Sequence, residues 1–172
     1  LRKRPKAIIG FSDITALLNA AQVEAGLVTF HAPMARAPLT PFSRWHFDRV
    51  LTTVNPAGRL GRVAPPADVL VPTSGRIVTL VPGQATGPLV GGNLTLLQCL
   101  IGTKHFPDLS GTLLFIEDVG EDLYSVDRML AQLRSVGALQ KVAGVIVGQF
   151  PNRGSRERYA LLVRKSPDFS RA

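Results

Sequence analysis

Four short apolar runs do most to limit what this chain can fold into. They are "KAIIGF" (Lys6 to Phe11), "LVTF" (Leu27 to Phe30), "GTLLFIED" (Gly111 to Asp118) and "VAGVIVGQF" (Val142 to Phe150). They are nearly unbroken rather than alternating, which is the pattern of strands covered on both faces. Segments of helical period follow them. Ser12 to about Ala25 puts Ile14, Leu17, Leu18 and Ala21 on one face, with Gly26 as the stop. Pro41 opens a second helix to about Val54, with Trp45, Phe47, Val50 and Leu51 as its apolar members. This β-α-β-α order is that of a parallel sheet covered by helices, so the expected fold class is α/β.

The chain divides by composition. Residues 1–55 read as part of one α/β domain. Residues 56–75 are rich in Pro and Gly and read as a linker. Residues 76–150 read as a second, smaller α/β domain, itself partial. There, "RIVTLVPG" (Arg76 to Gly83) alternates as a strand does. "GPLVGGN" turns into the helix "NLTLLQCLIGT", and "LYSVDRMLAQLRSVGAL" aligns Val126, Met129, Leu130, Leu133 and Val136 on one face. After Phe150 the pattern decays, and 151–172 reads as a divergent tail. The chain begins at Leu1 and almost at once enters a run that reads as a central strand. It is therefore expected to be a piece of a longer one.

Composition excludes several classes. No apolar run approaches the roughly 20 residues of a membrane helix, and no charged-then-apolar leader is present. Cys99 is the sole cysteine, which leaves no disulfide framework and no cysteine zinc site. A cytoplasmic location is expected. The net charge is +8, which admits nucleic acid or another polyanion as a partner. The basic residues gather at the two ends, in "LRKRPK" and "NRGSRERYALLVRK", and form no helical stripe. A solvated surface is favoured over nucleic-acid binding.

Ser12 and Asp13 follow the first strand directly. Ser12 can cap the helix with its oxygen, Asp13 then favouring the positive helix end. Equally, Ser12 can be a nucleophile on a tight strand-to-helix turn, with the Asp13 N–H binding an oxyanion. Position 14 is Ile, so the G-x-S-x-G elbow of ordinary hydrolases is not matched. Glu117 and Asp118 end a strand. They serve either as carboxylates at a helix entry or as the acid that orients a histidine. "GGNLTLL" lacks the lysine of a phosphate loop. Its glycines are expected to permit close backbone approach, with Asn93 as the helix cap. Of the three histidines, His46 reads as filling and His105 has no evident partner. His31 falls on the same sheet edge as Ser12. No two histidines have metal-ligand spacing, so no metal is expected.

Together, "GFSDITALL", "VTFHAPM", "GPLVGGNLTLLQCLIGT", "PDLSGTLLFIEDVGEDLYSVDRMLAQLRSVGAL" and "GVIVGQF" resemble, in order and spacing, the LD-carboxypeptidase family of serine peptidases. That family includes muramoyltetrapeptide carboxypeptidases and microcin-immunity peptidases. The resemblance covers residues 5 to about 150. It implies that Ser12 is the nucleophile, Glu117 the triad acid and the Asp13 N–H part of the oxyanion hole, with His31 and Asn93 beside the substrate. It further implies a cytoplasmic enzyme without cofactor that releases terminal D-alanine from muropeptides or related peptides, and often a homodimer. The family's catalytic histidine follows the "GVIVGQF" strand, and no histidine follows His105 here. A serine without its base is a poor nucleophile. This weighs a non-catalytic remnant, or a basic anion-binding module, against the enzyme. His31 as a substitute base is a further, weaker alternative.

Overall fold

The computed structural model describes residues 1–33, 38–59, 61 and 77–151. Among the described residues nine elements succeed one another. They are β1 (Ile9–Gly10), α1 (Ile14–Ala25), β2 (Phe30–His31), α2 (Pro41–Leu51), β3 (Leu89–Asn93), α3 (Leu94–Cys99), β4 (Leu113–Glu117), α4 (Leu123–Ser135) and β5 (Gly144–Val147). Every strand pairing among the described residues is parallel: β1 with β2, and β4 between β3 and β5. The fold is α/β with parallel sheets, as the apolar runs require.

Leu1–His31 and the described residues from Leu80 to Pro151 form one compact unit. Its core lies between the three-stranded sheet and the helices α3 and α4. Leu114 and Ile116 of β4, Leu94 and Leu97 of α3, and Val126, Met129, Leu130 and Leu133 of α4 fill it. The alternation of β4 sends Leu114 and Ile116 into this core. Phe115 belongs to the opposite face, where its ring meets His31 edge-on at 5.3 Å between centroids. On that side α1 packs on β3.

The described residues between Ala32 and Thr79 belong to a separate unit. Its helix α2 has Pro41 in its first turn and Thr40 as cap, the Thr40 side chain accepting the Ser43 N–H at 3.1 Å. No residue of α2 is buried. His46 lies tilted against Phe42 and edge-on to Trp45, and Arg49 lies over the Trp45 ring at 4.2 Å. The expected linker over 56–75 falls mostly, and the tail over 151–172 almost wholly, outside the described residues.

Four expectations are corrected. The strand expected at 76–83 does not form among its described residues, because Ile77 and Val78 lie exposed with no strand partner. The stretch before α3 is not a bare turn. It is the strand β3, whose two glycines dilute the apolar signal. The buried face of α1 is Thr15, Leu18, Asn19 and Ala21, while Ile14 and Leu17 are exposed. Hydrogen bonds to β3 turn the polar pair Thr15 and Asn19 inward, which a hydropathy pattern cannot anticipate. On α4 the expected face is buried from Val126 to Leu133, and Val136 is the exposed C-cap.

Candidate active site

Ser12 sits between β1 and α1 with φ 57°, and it is the only non-glycine residue with positive φ among the described ones. A left-handed backbone at a residue with a Cβ is strained, and such strain gathers at functional turns. Ser12 does not cap α1. The cap position belongs to Asp13, whose side chain makes no capping bond. The turn is closed by the N–H groups of Ile14, Thr15 and Ala16, bonded to the carbonyls of Phe11, Ser12 and Asp13. The Asp13 N–H takes no part in that closure. At the other end Gly26 terminates α1 in the left-handed conformation, as expected.

The parallel register sets the neighbours. Gly10 is opposite His31, and Asn93 is opposite Glu117. Across the two sheets His31 Nε2 lies 3.6 Å from Glu117 Oε1, with both side chains mostly buried. The glycines of β3 make this approach possible. A Cβ on Gly91 would fall on the Phe115 carbonyl oxygen. One on Gly92 would come within 2.8 Å of Thr15 and 3.2 Å of His31 Nδ1. Close backbone approach is thus their role, as the sequence led us to expect. Asn93 caps α3 by accepting the Leu96 N–H at 3.1 Å.

Burial pushes the Glu117 carboxyl above its ordinary range, the neighbouring Asp118 charge adds to the rise, and the Asn93 amide opposes it. Burial likewise draws the His31 imidazole below its ordinary value. The two groups are thereby brought toward each other in proton affinity. His31 Nδ1 is buried without a hydrogen-bond partner, as is Glu117 Oε1. His105 likewise makes no hydrogen bond through Nδ1, though a carboxylate lies near it. Its Nδ1 lies 3.4 Å from Glu24 Oε1, beside a Lys104–Glu24 ion pair at 3.0 Å.

His31, Asn93 and Glu117 are therefore brought together, and Ser12 lies on the turn that leaves the strand paired with His31. Two residues of this site, Thr15 and Asn19, were missed. The available signal was a polar pair spaced i, i+4 on an otherwise apolar helix. Among the described residues no cluster of three metal-ligating side chains occurs, and no helix is long and apolar enough to cross a membrane.

A parallel α/β unit with a strained serine turn after one strand and a half-buried carboxylate at the end of another is an arrangement suited to nucleophilic catalysis. Two family models match the chain: the LD-carboxypeptidase N-terminal domain over residues 1–32 and the LD-carboxypeptidase C-terminal domain over residues 86–167. The second match runs beyond Phe150, where the quoted motifs end. A probable murein peptide carboxypeptidase of Bacillus subtilis is 41% identical over 161 residues, covering 88% of this chain and 46% of that protein. The crystal structure of an MccF-like protein from Bacillus anthracis superposes with a TM-score of 0.76 at 26% identity, over 99% of this chain and 57% of that one. A muramoyltetrapeptide carboxypeptidase from Oxalobacter formigenes gives 0.67 at 30% identity, over 92% and 52%. The chain belongs to the LD-carboxypeptidase family. It spans about half the length of the curated relatives it matches.

Proposed function

We propose that this chain carries the nucleophile and the orienting acid of a serine LD-carboxypeptidase, which cleaves an L,D-peptide bond to release terminal D-alanine from cell-wall tetrapeptides in the cytoplasm. The observation that carries the reading is the left-handed Ser12 at the strand-to-helix turn. The Ser12 hydroxyl attacks the carbonyl before the D-residue. The Asp13 N–H meets the oxyanion that forms. A histidine takes the serine proton and returns it to the leaving amine, and Glu117 holds that imidazole in the correct orientation. Serine chemistry of this kind asks for no cofactor.

His31 is a poor candidate for the base. Its Nε2 faces Glu117 and its Nδ1 is buried against Gly92, which leaves no ring nitrogen free for Ser12. We assign it a place beside the substrate; Asn93, expected there too, is instead buried with its side chain committed to the Leu96 N–H and to Asp118, so it supports the site from behind. The family resemblance puts the base on a histidine that follows β5, and none of the histidines of these 172 residues does.

The test is D-alanine release from a tetrapeptide ending in an L-diamino acid and D-alanine, using the longest product of the coding locus. Ser12→Ala and Glu117→Ala are each expected to cost on the order of 10⁴-fold in turnover. Undiminished release by Ser12→Ala overturns the assignment.

A further inference from the structure

Asp118 is 3% exposed, and the catalytic reading gives it no chemistry. Its acceptor sites are nonetheless filled. Oδ1 accepts the Asn93 side-chain amide at 2.9 Å and the Val119 N–H at 2.8 Å. Oδ2 accepts the Thr95 N–H at 2.9 Å and the Thr95 hydroxyl at 2.8 Å. These donors come from the end of β3, the first turn of α3 and the exit of β4. A single carboxylate thus ties three chain segments together.

The connection continues to the serine turn. The Asn93 backbone N–H donates to Thr15 Oγ1 at 3.1 Å, and Thr15 is three residues beyond Ser12. Asn19 reinforces the junction, its amide donating to the carbonyls of Thr15 at 2.9 Å and Gly91 at 3.1 Å. A run of buried hydrogen bonds therefore leads from α1 through Asn93 to the residue that follows Glu117. Buried polar networks with every member satisfied select one arrangement over its near neighbours. A serine and an acid that must meet the same imidazole need placement to within about 0.5 Å.

We propose that Asp118 is a positioning residue: through Asn93 and Thr15 it sets where the Ser12 turn stands relative to Glu117 at the end of β4. The role assigned to that geometry rests on Ser12 and Glu117 being catalytic, but the coupling is measurable without turnover.

The experiment is NMR on the 172-residue chain. The readouts are the amides of Ser12 and Asp13 and the side-chain carboxyls of Glu117 and Asp118, followed against pH. Asp118→Asn replaces an acceptor oxygen with a donor and removes a like charge beside Glu117. It is expected to move the Ser12 and Asp13 amides and to lower the Glu117 titration midpoint. Thr15→Val cuts the other end and is expected to move the Asp118 carboxyl signal, with Thr15→Ser restoring it. A folded Asp118→Asn variant with native Ser12 and Asp13 amides overturns the proposal. Where Asp118→Asn does not fold, an unmoved Asp118 signal in Thr15→Val overturns it. None of these readouts involves hydrolysis, so unchanged spectra reject the coupling alone. D-alanine release that survives Ser12→Ala rejects the catalytic reading alone.

Discussion

His31 Nε2 and Glu117 Oε1 stand 3.6 Å apart at the meeting of the two parallel sheets. Neither residue is adjacent to the other in sequence, and the parallel pairing of β2 with β1 and of β4 with β3 brings them together. Burial raises the carboxyl and lowers the imidazole, so each group disfavours its charged form in the folded state.

The sign of the pH dependence follows. The folded state holds the Glu117 proton to higher pH than the unfolded chain does. That contribution to stability is full below the unfolded carboxylate range and is lost as pH rises through the raised folded value. Glu117→Gln is expected to remove this loss and to be more stable than the parent at neutral pH. Urea titrations of both proteins between pH 4 and about pH 8 check it, bracketing the ordinary carboxylate and imidazole ranges. For His31 the folded value is depressed, so its contribution is present above the ordinary 6.5 and is lost as pH falls through the folded value.

Ser12 at φ 57° carries a backbone cost that glycine does not. Ser12→Gly is expected to be more stable than Ser12→Ala by about 1 kcal/mol, since both lack the hydroxyl but only alanine keeps the Cβ. Equal denaturation midpoints for the two variants would show that the turn relaxes around the side chain.

Gly91 has φ 129°, and a Cβ there would collide with the Phe115 carbonyl oxygen, a backbone atom of the neighbouring strand. Gly91→Ala is expected to cost about 3 kcal/mol and to loosen the β3–β4 pairing. Chemical denaturation measures the cost, and hydrogen exchange of the β3 and β4 amides shows where it falls.

Ile9, Ile14, Leu17, Val23 and Val28 are exposed on β1, α1 and the loop that follows. Exposed apolar side chains in such number favour self-association. The chain is expected to aggregate on heating rather than unfold as a soluble monomer. Leu17→Gln with Val28→Thr is expected to reduce association while changing stability by no more than about 0.5 kcal/mol per site. Light scattering during a thermal ramp reads both effects, and a soluble, cooperative transition in the parent would contradict the first.

Much of the α/β class was legible because two regularities are local. Nearly continuous apolar runs such as "LLFI" ask for cover on both faces. Gly26 and the apolar face from Val126 to Leu133 mark helix limits within a few residues of chain. The serine turn was legible as a place but not as a state. "GFSD" admitted a cap as readily as a nucleophile, and only the positive φ of Ser12 and the cap position of Asp13 removed the first. The strand at Leu89–Asn93 was hidden because its glycines serve neighbours more than twenty residues away, Gly91 the Phe115 carbonyl and Gly92 the side chains of Thr15 and His31. The inward turn of Thr15 and Asn19 was hidden for the same reason, since their partners lie on β3. By itself, the sequence determined which segments are strands and helices wherever burial is periodic along the chain. The pairing of His31 with Glu117 and the satisfaction of Asp118 by Asn93 and Thr95 were decided by tertiary structure, because hydrogen bonds between distant segments leave no periodic trace in any one of them.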